Sequence, residues 1–131
     1  MHPFHLDTLS TVFPRLRLIG AHLGGTGNYD ASASVARWRH FVWFDLSGGE
    51  VIERHALAGG YIGREIGVEK LVWGSDCRPV EIATHVRRFE TIFALSNLST
   101  DEQDRIWYQN AAEICGFEEP QLASDTAPEY P

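Results

Sequence analysis

Three short apolar segments, each closed by a polar residue beside glycine or serine, most constrain how this chain can fold. They are Arg15–Ala21, His40–Leu46 and Lys70–Trp73, and a stretch with helical features follows each one. The continuous apolar run Leu18–Ala21 is typical of a strand covered on both faces, as in a parallel sheet. The alternation of strand and helix therefore predicts an α/β fold with a parallel sheet and right-handed crossovers.

The stretches between the strands carry helix signals of different strength. Asp30 is suited to cap a helix predicted over Ala31–Arg39, because its side-chain oxygen can accept a first-turn N–H. A second helix is predicted over Val51–Ile66, with an interruption at the glycine pair 59–60.

The clearest helices follow the third strand. After Pro79, apolar residues recur at spacings of four, three and four, at Ile82, Val86, Phe89 and Phe93. This single stripe predicts an amphipathic helix. Ser99 and Glu102 have the spacing of a capping box, so we predict a final helix from Ser99 to about Cys115, with Gly116 as its C-cap.

Length and composition indicate one globular domain. The chain has 131 residues, of which 44% are hydrophobic and 22% charged. We predict a domain over residues 1–117 and a flexible, acidic, proline-containing tail over residues 118–131. Two cysteines do not form a disulfide scaffold.

Charge and hydropathy exclude two classes of partner. The net charge of −7 argues against nucleic acid, which requires a basic surface. No apolar run approaches the length of a membrane span, so we expect no membrane association. The N-terminal segment MHPFHLDTL lacks the features of a signal peptide, and we expect a cytoplasmic protein.

A polar residue closes each predicted strand, at the end where parallel sheets collect their chemistry. These residues are His22, Asp45 and Asp76, separated by 23 and 31 residues. Because a βα unit of a TIM-type barrel averages about 30 residues, the spacing suits three successive βα units. We expect all three side chains to emerge on one edge of the sheet.

Each strand-end residue has a chemical and a structural interpretation. His22 could be a general acid/base or a metal ligand, or could only hydrogen-bond at a strand end. Asp76 could bind a divalent metal or orient water, or could cap a helix or a turn. Asp45 could support such a site, but a turn-forming role is favoured.

The remaining histidines carry weaker signals. His2 and His5 are three residues apart, a spacing that could chelate metal on a helix, although a frayed terminus would position them poorly. His40, His55 and His85 are expected to be solvated.

Four segments occur in an order that resembles the amidohydrolase-related family. Residues 13–25 (FPRLRLIGAHLGG) and 41–48 (FVWFDLSG) resemble two successive strands of that family. Residues 70–79 (KLVWGSDCRP) resemble its eighth strand, and residues 110–117 (NAAEICGF) resemble its terminal helix. The family includes aminocarboxymuconate-semialdehyde decarboxylase, resorcylate decarboxylases and metal-dependent lactonases. The resemblance implies the C-terminal part, about three βα units, of a metal-dependent (β/α)8 barrel.

The resemblance also implies roles for individual residues. His22 would match a sixth-strand acid/base histidine, and Asp76 an eighth-strand metal ligand that can also accept a proton from water. His2 would be the relic of a fifth-strand metal histidine. The metal would be zinc, or in some members manganese. The first-strand His-x-His pair of the family has no counterpart in this sequence.

The expected function is that of a metal-dependent hydrolase of C–O or C–N bonds, or of a non-oxidative decarboxylase, acting on a small molecule. The alternative is a non-catalytic interaction or scaffold module. A three-stranded fragment would have two unpaired edges beside an apolar inner face built from residues such as Leu18, Val42 and Leu71. We therefore expect a homo-oligomer or association with a complementary barrel chain.

Overall fold

A computed structural model describes residues 2–25, 27–58 and 60–117. The predicted tail, residues 118–131, lies outside the described residues. Within the described ranges, none of the helices has both the length and the apolar character needed to cross a membrane.

Three parallel strands form the sheet, in the spatial order β1-β2-β3. They are β1 (Leu18–Gly20), β2 (Val42–Asp45) and β3 (Leu71–Val72). All three predicted strands are confirmed, but each is shorter than predicted. β1 starts late because the chain first turns at Phe13, whose carbonyl accepts the N–H of Leu16 at 2.9 Å.

Helices connect and follow the strands, as the α/β pattern predicts. They are α1 (Phe4–Val12), α2 (Tyr29–Trp38), α3 (Glu50–Ala58), α4 (Ile82–Leu95), α5 (Thr100–Asp104) and α6 (Asn110–Cys115). A π-helical turn, Arg105–Gln109, joins α5 to α6 into one continuous helical run. A second π-helical turn, Tyr61–Glu65, follows α3.

The predicted helix signals are mostly confirmed near the C-terminus. Ser99 and Glu102 form the expected capping box, and Gly116 ends α6 in a left-handed conformation. The predicted interruption is also confirmed, since α3 ends at Ala58 and Gly60 has a φ of +67°.

Two predictions at helix N-termini are wrong. From residue 3 onward the N-terminal segment is not frayed, because Pro3 and Leu6 are buried and anchor α1 against the sheet. Asp30 does not cap α2 but lies in its first turn, and its carboxylate accepts the Tyr61 hydroxyl at 2.9 Å. Burial is the larger cause that raises the pKa of Tyr61 to about 12, and this hydrogen bond to Asp30 is the second.

One face of the sheet packs against the helices and forms the core. The register places Leu18 beside Val42 and Phe44 beside Leu71, and side chains alternate between faces along each strand. These residues join a cluster whose helical members include Leu6, Val35, Ile52, Phe89, Phe93 and Ile106. The prediction that Leu18, Val42 and Leu71 build the inner face of a barrel fragment is therefore wrong, because these residues lie on the face that the helices cover.

The opposite face carries Ile19, Trp43 and Val72. Trp43 and Val72 are buried but lie outside the helix-packed core cluster, and Ile19 is 44% exposed. The ammonium of Lys70 lies 5.0 Å from the centre of a Trp43 ring. This opposite face of the sheet is therefore least covered at β1.

The two edges of the sheet differ. On the outer edge of β3, the carbonyl of Leu71 accepts the side-chain amide of Asn110 at 2.7 Å. On the same edge, the N–H of Trp73 donates to the carbonyl of Ile106 at 2.8 Å. The predicted unpaired edge at β3 is therefore wrong, because the last helical run closes it. Among the described residues, no strand pairs with the outer edge of β1.

Candidate functional site

His22, Asp45 and Asp76 lie at the carboxyl edge of the sheet, as predicted. The three strands are parallel, and each of these residues lies at or just beyond the C-terminal end of its strand. The Nε2 atom of His22 lies 3.7 Å from the Oδ2 atom of Asp76, although β2 separates their strands. The side chains reach across the end of β2 to form a single site.

Both members of this pair have unusual backbone conformations. His22 and Leu23 are left-handed, with φ of 56° and 51°, and Asp76 has a φ of 43°. A left-handed non-glycine residue costs on the order of 1–3 kcal/mol and persists only where its surroundings hold it. The chain therefore reverses sharply after β1 and projects the imidazole toward β3.

Specific contacts hold the turn after β1. The His22 N–H donates to Asp45 Oδ1 at 2.8 Å, and the His22 carbonyl accepts the Gly25 N–H at 3.0 Å. The carbonyl of Leu23 accepts the Ser32 hydroxyl, and the Leu23 side chain is fully buried. Backbone polar groups of the turn thus have partners, which offsets the cost of the left-handed conformation.

Asp45 forms the expected turn and also joins two strand ends. Its Oδ1 atom accepts the Ser47 N–H at 3.0 Å and the Ser47 hydroxyl at 2.6 Å, besides the His22 N–H. Ser47 Oγ lies 2.9 Å from His22 Nδ1. Sequence reasoning missed Ser47, and the available signal was its position two residues after a strand-end aspartate.

Gly48 provides the surface on which the imidazole rests. A Cβ atom at this position would lie 2.9 Å from His22 Nδ1 and 2.9 Å from a side-chain carbon of Ile52. The φ of Gly48, +104°, is also one that other residues rarely adopt. Both the close approach and the backbone conformation require glycine here.

The loop after β3 leaves Asp76 open to solvent. Its side chain is 62% exposed, and it does not cap the next helix. Arg78 occupies the N-cap position of the short 3-10 turn Pro79–Glu81, and its backbone N–H donates to Glu81 Oε2 at 3.2 Å. The helix-capping interpretation of Asp76 is therefore wrong, and its carboxylate faces His22 and the solvent.

His2 lies on the wall of a cavity of about 360 Å³ beside this site. The cavity is also lined by Leu6, Leu9, Ile19 and the turn that carries His22. His2 Nδ1 accepts the N–H of Phe4 at 3.2 Å, so one ring nitrogen is already engaged. The role of His2 as a metal ligand stays a prediction.

The described donors do not complete a metal site. Within residues 2–25, 27–58 and 60–117, no three His, Cys, Asp or Glu side chains converge as ligands. A catalytic zinc ion usually takes three protein ligands, whereas His22 and Asp76 provide two. These residues alone therefore do not fit a bound metal ion.

The other histidines lie away from the site. His40 and His55 are exposed, as expected, and His55 stacks on Tyr29 with ring centres 4.6 Å apart. The prediction that His85 is solvated is wrong, because its side chain is only 13% exposed and its Nδ1 lies 3.4 Å from Glu53 Oε1. His85 joins α3 to α4 and has no part in the strand-end site.

Comparison with known proteins adds one finding. The model of a protein family described as Amidohydrolase matches residues 1–117. The comparisons with curated proteins and with solved structures gave no match. The matched region contains all four segments in which the sequence resembles the amidohydrolase-related family.

Proposed function

Because the chain belongs to the amidohydrolase family, we propose that His22 and Asp76 form the reactive pair of a hydrolase or a non-oxidative decarboxylase. The observation that carries this proposal is the 3.7 Å approach of the His22 and Asp76 side chains across the strand ends. The substrate would be a small molecule with a C–O or C–N bond to be hydrolysed, or a carboxylate to be lost. Aminocarboxymuconate-semialdehyde decarboxylase exemplifies the second reaction.

His22 is proposed as the group that moves a proton at its Nε2 atom. Imidazole takes and returns protons near neutral pH, which suits general acid/base catalysis. The imidazole is held in place by its turn and by Gly48, so the Nε2 atom has a defined position. It can therefore act on a substrate or a water molecule placed at the carboxyl edge.

Asp76 is proposed as the carboxylate partner of that proton transfer. Its exposed position leaves it free to accept a hydrogen bond from a water molecule or from protonated His22. A carboxylate within this distance of an imidazolium also stabilises the charge that forms on the ring.

A divalent metal, zinc or manganese, is proposed as the cofactor of the complete site. Members of this family generally use such ions, which act as Lewis acids. Since His22 Nε2 is assigned to proton transfer, Asp76 is the one ligand left at this site, and we propose that the further ligands come from elsewhere, with His2 a candidate. We also propose that the three strands correspond to the last three βα units of a barrel.

A partner chain is proposed to cover the open side of β1. The N–H of Leu18 points to β2, so the backbone groups of Ile19 point away from the sheet. The side chains of Leu9 and Ile19 are 37% and 44% exposed beside that edge. A second copy of the chain, or a complementary barrel chain, would bury this surface and could supply a further ligand.

The proposal is tested by an activity screen with matched variants. The purified full chain, supplied with Zn²⁺ or Mn²⁺, is assayed on lactones, aryl esters, aryl amides and hydroxybenzoates. We expect turnover of at least one class and a loss of about 100-fold or more in His22→Ala and in Asp76→Asn. His40→Ala is the control, because His40 is exposed and precedes β2 at the opposite end of the sheet.

Two results would overturn the proposal. Turnover that is unaffected by His22→Ala would remove His22 from the mechanism. The absence of turnover on every substrate class, with no metal bound in elemental analysis, would favour a non-catalytic interaction module instead.

A further inference from the structure

Behind the reactive pair, the side chains of Ser47 and Asp45 extend from His22 as a continuous hydrogen-bonded chain. His22 Nδ1 lies 2.9 Å from Ser47 Oγ, and Ser47 Oγ lies 2.6 Å from Asp45 Oδ1. Ser47 is buried, at 6% exposure, and Gly74 packs against it closely enough that a Cβ there would lie 3.3 Å from Ser47 Cβ. The serine hydroxyl therefore has little freedom to choose other partners.

The direction of these hydrogen bonds follows from counting protons. An ionised carboxylate only accepts hydrogen bonds, and a serine hydroxyl has a single proton to donate. That proton is committed to Asp45 Oδ1, so Ser47 Oγ must accept from His22 Nδ1. We propose that Ser47 and Asp45 are positioning residues that hold neutral His22 in the Nδ1–H tautomer and leave Nε2 unprotonated toward Asp76.

The opposite direction would require a proton on Asp45 Oδ1. That oxygen already accepts the backbone N–H groups of His22 and Ser47, at 2.8 and 3.0 Å. Together with the Ser47 hydroxyl, these two backbone donors already occupy that oxygen, so it has no free lone pair to carry a proton of its own. The same contacts fix the orientation of Asp45, so its Oδ1 atom accepts the Ser47 hydroxyl in a single geometry.

This inference rests on the proposed function and assigns the proton to one atom. With Nδ1–H held by Ser47, the proton that enters or leaves the ring does so only at Nε2. Nε2 faces Asp76 Oδ2 at 3.7 Å, a distance that is too long for a direct hydrogen bond. His22 would thus begin a reaction as a base at Nε2, without ring rotation.

Nuclear magnetic resonance of the full chain tests the tautomer directly. Histidine side chains are labelled with ¹⁵N, and ring nitrogens are correlated with ring carbon-bound protons in metal-free protein at about pH 8.5, where ordinary histidine is neutral. His22→Ala identifies the His22 signals among the six histidines. We expect the pattern of an Nδ1–H imidazole for His22, whereas free histidine in water favours Nε2–H.

Substitutions at Ser47 separate the tautomer effect from a structural role. Ser47→Ala should shift His22 toward Nε2–H, and Ser47→Thr, which keeps the hydroxyl, should restore Nδ1–H. In a preparation with turnover, Ser47→Ala should lower kcat by about 10- to 100-fold, and Ser47→Thr should recover most of it.

The wild-type spectrum alone can overturn the inference. An Nε2–H pattern for His22 in the folded wild-type chain would contradict it, whether or not the variants fold. The measurement needs neither substrate nor metal, so a failed activity screen would reject the proposed function and leave the tautomer result readable. An active enzyme whose His22 is Nε2–H would reject only this inference.

Discussion

The side-chain amide of Asn110 donates to the carbonyl of Leu71 at 2.7 Å, and through this bond the last helix closes the outer edge of β3. The same amide donates to the carbonyl of Val68 at 2.7 Å. Asn110 is 1% exposed, so neither carbonyl has ready access to water in its place. The strand that leads to Asp76 is thereby fixed by a residue from the far end of the described chain.

Replacing Asn110 by alanine should destabilise the fold by about 2–4 kcal/mol, because each buried carbonyl left without a donor costs about 1–3 kcal/mol. Urea unfolding monitored by circular dichroism measures the change. Gln109→Ala, one residue earlier and less buried, is the control and should change stability by at most about 0.5 kcal/mol. Equal stability of the two variants would show that this edge does not depend on Asn110.

Gly48→Ala should displace the His22 ring and destabilise the fold by about 1–3 kcal/mol more than Gly49→Ala. Both glycines have positive φ, +104° and +72°, so alanine is strained at either position. Only at Gly48 would the new Cβ meet His22 and Ile52, since no atom lies within 4 Å of the corresponding point at Gly49. Denaturant unfolding and the His22 imidazole resonances measure the two effects. Indistinguishable variants would contradict the packing described for His22.

The Ser99 backbone N–H and hydroxyl, which bond to the carboxylate, hold the pKa of Glu102 below its usual range. A lowered pKa in the folded state means that this interaction stabilises the fold above the ordinary glutamate pKa and is lost as pH falls through the lowered value. Glu102→Gln should therefore lose stability relative to wild type at neutral pH, and the difference should shrink in acid. Urea unfolding from pH 7 to about pH 3 measures it, with Asp101→Asn as the control. A difference that is constant with pH would contradict the capping box.

The exposed apolar surface beside β1 should cause the chain to associate. Ile19→Lys places a charge on this surface and should shift the sedimentation velocity profile toward monomer. Val80→Lys is the matched control, because Val80 is 83% exposed on the 3-10 turn far from β1 in sequence. A wild-type chain that sediments as a monomer at all concentrations would contradict the proposed partner chain.

Much of the fold could be predicted because its signals are local. The capping box of Ser99 and Glu102, the left-handed Gly116 and the three apolar runs each report on their own neighbourhood. Helix α1 could not be predicted in this way, because its stability depends on Pro3 and Leu6 packing against distant residues. The closure of the outer edge of β3 could not be predicted for the same reason, because Asn110 and Leu71 are 39 residues apart in sequence.

The site could be predicted only in outline. Parallel strands place His22 and Asp76 on one edge, and that inference needs no tertiary detail. Their approach to 3.7 Å depends on left-handed residues at positions 22, 23 and 76, a conformation that histidine and aspartate adopt only in a minority of cases and leucine rarely. Ser47 was missed because its partner His22, in the turn after β1, is set by the strand register and not by sequence distance.

A double-mutant cycle of His22→Ala and Asp76→Asn on kcat/KM tests most directly whether the two residues act as one unit. The substrate and metal would be those that the activity screen identifies. We expect each single substitution to lower kcat/KM by about 100-fold or more, and the double variant to be no worse than the more damaging single one. Effects that multiply, or wild-type kcat/KM in either single variant, would contradict the account.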